Sequence, residues 1–169
     1  MKNLDSNSLL TDEQRRIALS ALSNKFNKSA FINIVEEPEQ NLFPTSQWEM
    51  LKALLTFNNM TGENELIMTT HSPYIISYLT LAVKAKLVLD KINMSKNSEM
   101  LIKQLAEIVP LDSQLPPSDL VIYELNSSGD IIKLKDYRGL PSDENYLNDS
   151  LAETNEWFSQ LLDIEEQCK

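Results

Sequence analysis

The sequence predicts an α/β fold, with a parallel sheet flanked by helices and a small appended β-hairpin. Two short apolar runs, 31–35 and 66–70, are each followed by a helical pattern. A strand–helix–strand unit of this length pairs its strands in parallel through a right-handed crossover. Polar side chains follow both runs, and ligands of such sheets bind outside the carboxyl ends of the strands.

The first half of the chain alternates helices and strands. Thr11 can cap a helix over about 12–24, and the β-branched run 31–35 predicts a buried strand. Pro44 opens a helix that continues to about residue 58, and a turn at 61–64 leads into the second strand. The apolar stripe of the 46–58 helix, where we expect core packing, consists of Trp48, Leu51, Leu54 and Leu55.

The second half is predicted to be mostly helical. Pro73 starts a helix over about 74–93, and a shorter helix covers 98–108. The alternating runs 120–125 and 130–135 predict the hairpin, and 137–141 is predicted to be a loop. The last segment, 145–167, predicts a long amphipathic helix that covers its own sheet, with binding to a partner as the alternative use.

Composition limits the classes of function. Formal net charge is −10, which argues against tight, sequence-independent binding of nucleic acid; such binding is expected only indirectly, through a local patch or a partner. The single cysteine, Cys168, forms no internal disulfide, and residues 1–10 lack the apolar core of a signal peptide, so we expect a cytoplasmic location. No window is apolar enough to span a membrane.

The chain has no Walker A loop. Its three glycines, Gly62, Gly129 and Gly139, lie far apart, whereas a loop that cradles phosphate needs several glycines together. None of them precedes a Lys-Ser or Lys-Thr pair. The sequence therefore lacks the part of a nucleotide site that grips the β- and γ-phosphates.

Adjacent carboxylates end the first predicted strand. Neighbouring side chains of a strand point to opposite faces, so Glu36 and Glu37 can face different ligands. Phosphoryl transfer needs an oxygen ligand near Mg²⁺ and a second group that orients the attacking water. The alternative interpretation is an acidic loop without a function.

The only histidine of the chain, His71, ends the second predicted strand. At the junction of strand and helix, an imidazole can reach a phosphate oxygen or an attacking water. A role as metal ligand is disfavoured because no second histidine and no cysteine lies nearby in the sequence. The alternative is an ordinary packed or surface histidine.

These residues resemble a family. The segments EEPEQNLFP (36–44) and TTHSP (69–73) look like the Walker B and switch-histidine segments of ABC-type ATPases. The resemblance is to the SMC/RecF-like branch, in the AAA-family group related to the overcoming-lysogenization-defect proteins. It implies a P-loop NTPase-like fold, of which this chain is the C-terminal half of one head, as a single domain over 1–169. It covers most of 10–165 and is strongest in these two segments.

The resemblance also implies roles for the residues. Glu36 matches the acid associated with Mg²⁺, through water, on the Mg-ATP side of the site. Glu37 matches the catalytic acid that polarises water, and His71 matches the switch histidine that contacts the γ-phosphate. Residues 41–44 match the segment that lies at the dimer interface, so the resemblance implies a head-to-head dimer. Both cofactors, ATP and Mg²⁺, are expected only in a completed site.

Two departures from the family pattern define what is missing. The Walker A loop is absent, and the equivalent of the glycine-containing signature segment is 11–14, where Asp12 stands in place of glycine. A carboxylate there repels phosphate. We therefore expect an ATPase that is inactive alone and needs a Walker A-bearing N-terminal half or partner subunit.

Three alternatives to a split ATPase remain open. The chain could be a degenerate, non-catalytic module derived from such an ATPase and retained for protein binding. It could be a truncated product whose unpaired sheet edge makes it poorly soluble. It could also be a metal-dependent nuclease built on Glu36, Glu37 and Glu39. The module predicts indifference to substitutions at Glu36, Glu37 and His71, and the nuclease predicts metal-dependent cleavage of DNA that is lost on Glu36→Ala.

Overall fold

The computed structural model describes residues 30–94, 98–126 and 128–168, and the fold in these ranges is mixed α/β, as predicted. The helix predicted over 12–24 and the segment 11–14, which the resemblance matches to the signature segment, lie outside the described residues. The helices are α1 (Pro44–Asn58), α2 (Pro73–Ile92), α3 (Ser98–Ile108) and α4 (Tyr146–Glu166). The strands are β1 (Ile32–Glu36), β2 (Glu65–Thr69), β3 (Tyr123–Leu125), β4 (Ile131–Lys133), β5 (Asp136–Tyr137) and β6 (Leu140–Pro141).

The strands β1 and β2 form a parallel pair joined by α1, which confirms the predicted pairing. The first strand begins one residue after its predicted start, and the second begins one residue before its predicted start. The register sets Ile34 opposite Ile67 and Glu36 opposite Thr69. The last residues of both strands therefore lie side by side at one end of the sheet.

Only one face of this sheet is covered by the rest of the described chain. Leu66 and Met68 pack against the helical core, whereas Ile32, Ile34 and Ile67 on the other face are exposed, Ile34 by 72%. We call this second side the bare sheet face. The prediction of a buried strand at 31–35 is therefore wrong for this face, since no second layer of described residues covers it.

The hydrophobic core lies between α1 and α2. The residues that form it are Leu51, Leu55, Ile75, Leu79, Ala82, Val83 and Leu115. Trp48 stacks on Tyr78 with ring centroids 5.0 Å apart and packs against this cluster, as its position on the predicted stripe required. The Tyr78 hydroxyl donates to the Pro44 carbonyl at 3.0 Å, which ties the start of α1 to α2.

The strands β3 and β4 form the predicted antiparallel hairpin, although both are shorter than expected. The prediction of a loop at 137–141 is wrong, because β5 and β6 pair around a two-residue turn of Arg138 and Gly139. Both turn residues have positive φ, 55° and 79°, as tight hairpins require. A Cβ on Gly139 would lie 2.8 Å from Pro117 Cβ, so glycine also permits this close packing.

The last helix, α4, is well capped but buries none of its residues. The Asn145 side chain accepts from Asn148 N at 3.1 Å, which satisfies a donor of the first turn. The prediction that α4 covers its own sheet is wrong. None of the described helices is long and apolar enough to cross a lipid bilayer.

Candidate functional site

The candidate site lies at the carboxyl ends of β1 and β2. Glu36 is the last residue of β1 and is exposed on the side of the bare sheet face. Glu37 follows with φ of 42°, which is uncommon for a residue other than glycine. Its amide donates to Thr69 O at 3.1 Å and to Thr69 Oγ1 at 3.2 Å, which holds this conformation. The backbone therefore turns sharply between the two carboxylates.

The Glu37 carboxylate contacts the imidazole of His71. The distance from Glu37 Oε1 to His71 Nε2 is 3.0 Å, and the His71 side chain is 81% exposed. The other oxygen, Glu37 Oε2, accepts from the Gln40 side-chain amide. The structure thus brings together two of the three predicted site residues and leaves the imidazole open to solvent.

Glu39 links this carboxylate turn to the end of β2. It is 8% exposed, and its Oε1 accepts from Thr70 Oγ1 at 2.7 Å and from His71 N at 2.8 Å. Its Oε2 is buried and has no partner within the described part of the chain. Because one acceptor holds the backbone of His71, Glu39 fixes the position from which the imidazole reaches Glu37.

A second buried network lies behind the site. Ser72 Oγ donates to Gln47 Oε1 at 2.6 Å, and Gln47 Nε2 donates to Leu42 O at 3.1 Å. These contacts join the start of α2, the first turns of α1 and the loop that follows Glu39. The segment that carries the acids is therefore tied to the core at both ends.

Sequence reasoning did not assign Gln40, Glu39 or Gln47 to the site. Glu39 was included in the motif and in the nuclease alternative, but its contact with His71 spans 32 residues. The contact of Gln40 depends on the turn at Glu37, where Gln40 N donates to Glu37 O at 3.0 Å. A glutamine three residues after an acid gives no signal of such a turn by itself.

The donor set at this edge fits Mg²⁺ only in a shared site. Among the residues that the structure describes, no group of three or more His, Cys, Asp or Glu side chains could hold a metal ion. Mg²⁺ keeps several waters and is commonly held by one or two carboxylates together with substrate phosphates. A single exposed acid such as Glu36 suits that arrangement and does not suit an all-protein cage.

The exposed imidazole and the carboxylate beside it can hold a water or a phosphate oxygen, provided that another surface encloses them.

Comparisons of the chain with protein-family models, with curated proteins and with solved structures give no match. A functional interpretation therefore depends on the geometry of these side chains and on the motifs that carry them.

Proposed function

We propose that this chain is the hydrolytic half of an ATPase head with a P-loop NTPase-like fold, completed by a Walker A-bearing polypeptide. The observation that carries the proposal is the 3.0 Å contact between Glu37 Oε1 and His71 Nε2 at the carboxyl ends of two parallel strands. That distance is a hydrogen-bond distance, which a general base needs from the group with which it exchanges a proton.

Each side chain has a distinct role in the proposed site. Glu37 orients and deprotonates the attacking water, and His71 donates to an oxygen of the terminal phosphate. Glu36 would hold Mg²⁺ through water, and the bound ion supplies positive charge that offsets the phosphate oxygens. Glu39 keeps the backbone of His71 in place.

The incomplete sheet supports the idea of a missing half. Parallel sheets occur almost only with both faces covered, yet the bare sheet face of Ile32, Ile34 and Ile67 is exposed. Each of the two strands also has one edge without a partner strand among the described residues. We further propose that two completed heads form a head-to-head dimer, and that the protein is cytoplasmic, which fits its single thiol.

The experiment is reconstitution with a Walker A-bearing polypeptide encoded beside this chain. We expect nucleotide-dependent assembly and ATP hydrolysis, and we expect Glu37→Gln to lower turnover by about 10²–10⁴-fold with assembly preserved. Glu63→Gln, which removes the same charge from an exposed turn, is the matched control and is expected to leave turnover unchanged. An equal turnover for Glu37→Gln and the unsubstituted chain would contradict the catalytic assignment.

The second candidate is a non-catalytic interaction module derived from such an ATPase. The lack of a Walker A loop and the acid at position 12 favour it. This alternative predicts a partner that binds equally with and without nucleotide. It also predicts that substitutions of Glu36, Glu37 and His71 leave this binding unchanged.

A further inference from the structure

The long helix α4 exposes most of its large apolar side chains along one side. At about 100° per residue, its large apolar side chains occupy an arc of roughly 160° along the helix. We call this surface the α4 apolar arc; it consists of Leu151, Trp157, Phe158, Leu161, Leu162 and Ile164. These side chains are 46% to 62% exposed. An apolar helical face of this size is ordinarily packed against another surface.

The charges of α4 are all of one sign. Within Tyr146–Glu166 there are six acidic residues and no lysine or arginine. Five of the acids lie outside the α4 apolar arc, with Glu153 and Glu166 along its two sides, and only Glu165 lies within it. Each side of the apolar surface is thus flanked by one acid, and a third acid lies within it.

This charge pattern distinguishes two possible partners of the α4 apolar arc, a second copy of the chain and a basic polypeptide. A second copy of the chain would bring the acids of two α4 helices together, in a protein of net charge −10. A surface edged by lysine and arginine would instead gain from complementary charge while it covers the apolar side chains. The acids therefore favour a basic partner over a second copy.

We propose that α4 docks through its apolar arc onto a different polypeptide that presents an apolar groove or helix face edged by Lys and Arg. This inference does not rest on the proposed ATPase function, because α4 shares no residue with the Glu37–His71 site.

The test uses two synthetic helical peptides that share a leucine stripe and differ only in the residues beside it, which are lysine in one and glutamate in the other. Fluorescence anisotropy of the labelled peptides gives the Kd for the full chain. We expect the lysine peptide to bind at least about tenfold more tightly, and its binding to weaken as salt increases.

A matched pair of double variants locates the contact. Phe158→Gln with Leu161→Gln removes two side chains from the arc and is expected to raise the Kd of the lysine peptide at least about tenfold. Ala152→Gln with Ser159→Gln introduces the same two glutamines outside the arc, without removing a large apolar side chain, and is expected to leave the Kd within about twofold. Since α4 buries no residue, both variants are expected to keep the fold, which circular dichroism checks.

Other outcomes overturn the inference. Equal affinity for the two peptides, no binding of the lysine peptide, or equal effects of the two double variants would each exclude a basic partner on this arc. Light scattering of the chain alone is the second measurement. A dimer that dissociates in Phe158→Gln with Leu161→Gln would assign the arc to a second copy instead.

Discussion

The carboxylate of Glu37 reaches His71 because the backbone of Glu37 leaves the strand conformation. Residues other than glycine adopt positive φ rarely, and such conformations are found at functional sites where the surrounding contacts hold them. Here the hydroxyl and carbonyl of Thr69 hold the Glu37 amide. The contact between acid and imidazole therefore depends on backbone geometry that neither side chain could impose by itself.

The first prediction concerns the two adjacent acids. We expect Glu37→Gln to move the ¹H–¹³C signals of the imidazole, since the substitution replaces the charged oxygen 3.0 Å from His71 Nε2. Glu36→Gln makes the same change one residue away and is expected to leave those signals nearly unmoved. The measurement is simple because the chain contains one histidine. Equal shifts in both variants would contradict the pairing.

The second prediction concerns the buried acid. Glu39→Ala leaves the Thr70 hydroxyl and the His71 amide without their acceptor, so we expect a loss of about 1–3 kcal/mol in the free energy of unfolding. Glu39→Gln retains an acceptor and is expected to cost less. Urea denaturation measures both. The exposed acid Glu63 provides the control, and Glu63→Ala is expected to cost about 0.5 kcal/mol or less.

Sequence reasoning identified residues at this scale only where a local pattern existed. Glu36, Glu37 and His71 follow apolar runs, and that position alone marks them as candidates. The partners of Glu39 and Gln47 are set by the packing of distant segments, which no local pattern encodes. Their contacts become visible only when β2 and α2 are placed beside the acidic turn.

At the scale of elements, periodicity predicted the bounds of most helices and strands well. It predicted less well which of their faces the rest of the described chain covers. The four described helices lie within about two residues of the predicted bounds, because apolar spacing and prolines mark them clearly. The hairpin of β5 and β6 was missed because arginine is an unusual residue for the first position of its turn. The role of α4 was missed because amphipathicity predicts a face that needs cover, without identifying what covers it.

The third prediction tests the packing of α2 with two leucines that lie two residues apart. Leu79 is 4% exposed and belongs to the core, whereas Leu81 is 43% exposed. We expect Leu79→Ala to lower the free energy of unfolding by about 2–5 kcal/mol and Leu81→Ala to lower it by much less. Chemical denaturation followed by circular dichroism compares them. Equal losses would mean that Leu81 is also covered.

At the scale of the whole molecule, the notable feature of the described residues is the two-stranded parallel sheet, one face of which they leave uncovered. A parallel sheet with one face uncovered by the described residues is unusual, because all-parallel sheets occur almost only where helices cover both faces. The sequence predicted the parallel pair correctly, yet it gave no sign that Ile32 and Ile34 are uncovered. Apolar side chains on both faces are typical of strands buried in a complete parallel sheet, and the strands themselves do not specify which segment covers each face.

The fourth prediction concerns the bare sheet face. If the proposed Walker A-bearing polypeptide packs on this face, we expect Ile34→Glu to abolish assembly with it, because the substitution places a charge in that interface. Since Ile34 is already exposed, the stability of the isolated chain is expected to change little. Ile131→Glu, at a similarly exposed position on β4, is the control and is expected to assemble normally. Co-elution on a sizing column measures both, and normal assembly of Ile34→Glu would exclude this face as the interface.

The acid excess has a consequence for the bare sheet face. A strand edge that no described residue pairs, next to exposed isoleucines, favours association of one copy with another, and repulsion between copies at a net charge of −10 opposes it. Neutralising the carboxylates with acid, or shielding them with concentrated electrolyte, would remove that opposition while the helices remain folded. The solution of the isolated chain would then become turbid before the chain unfolds on heating. Its solubility would thus be limited by association of its exposed surface, and not by the stability of its core.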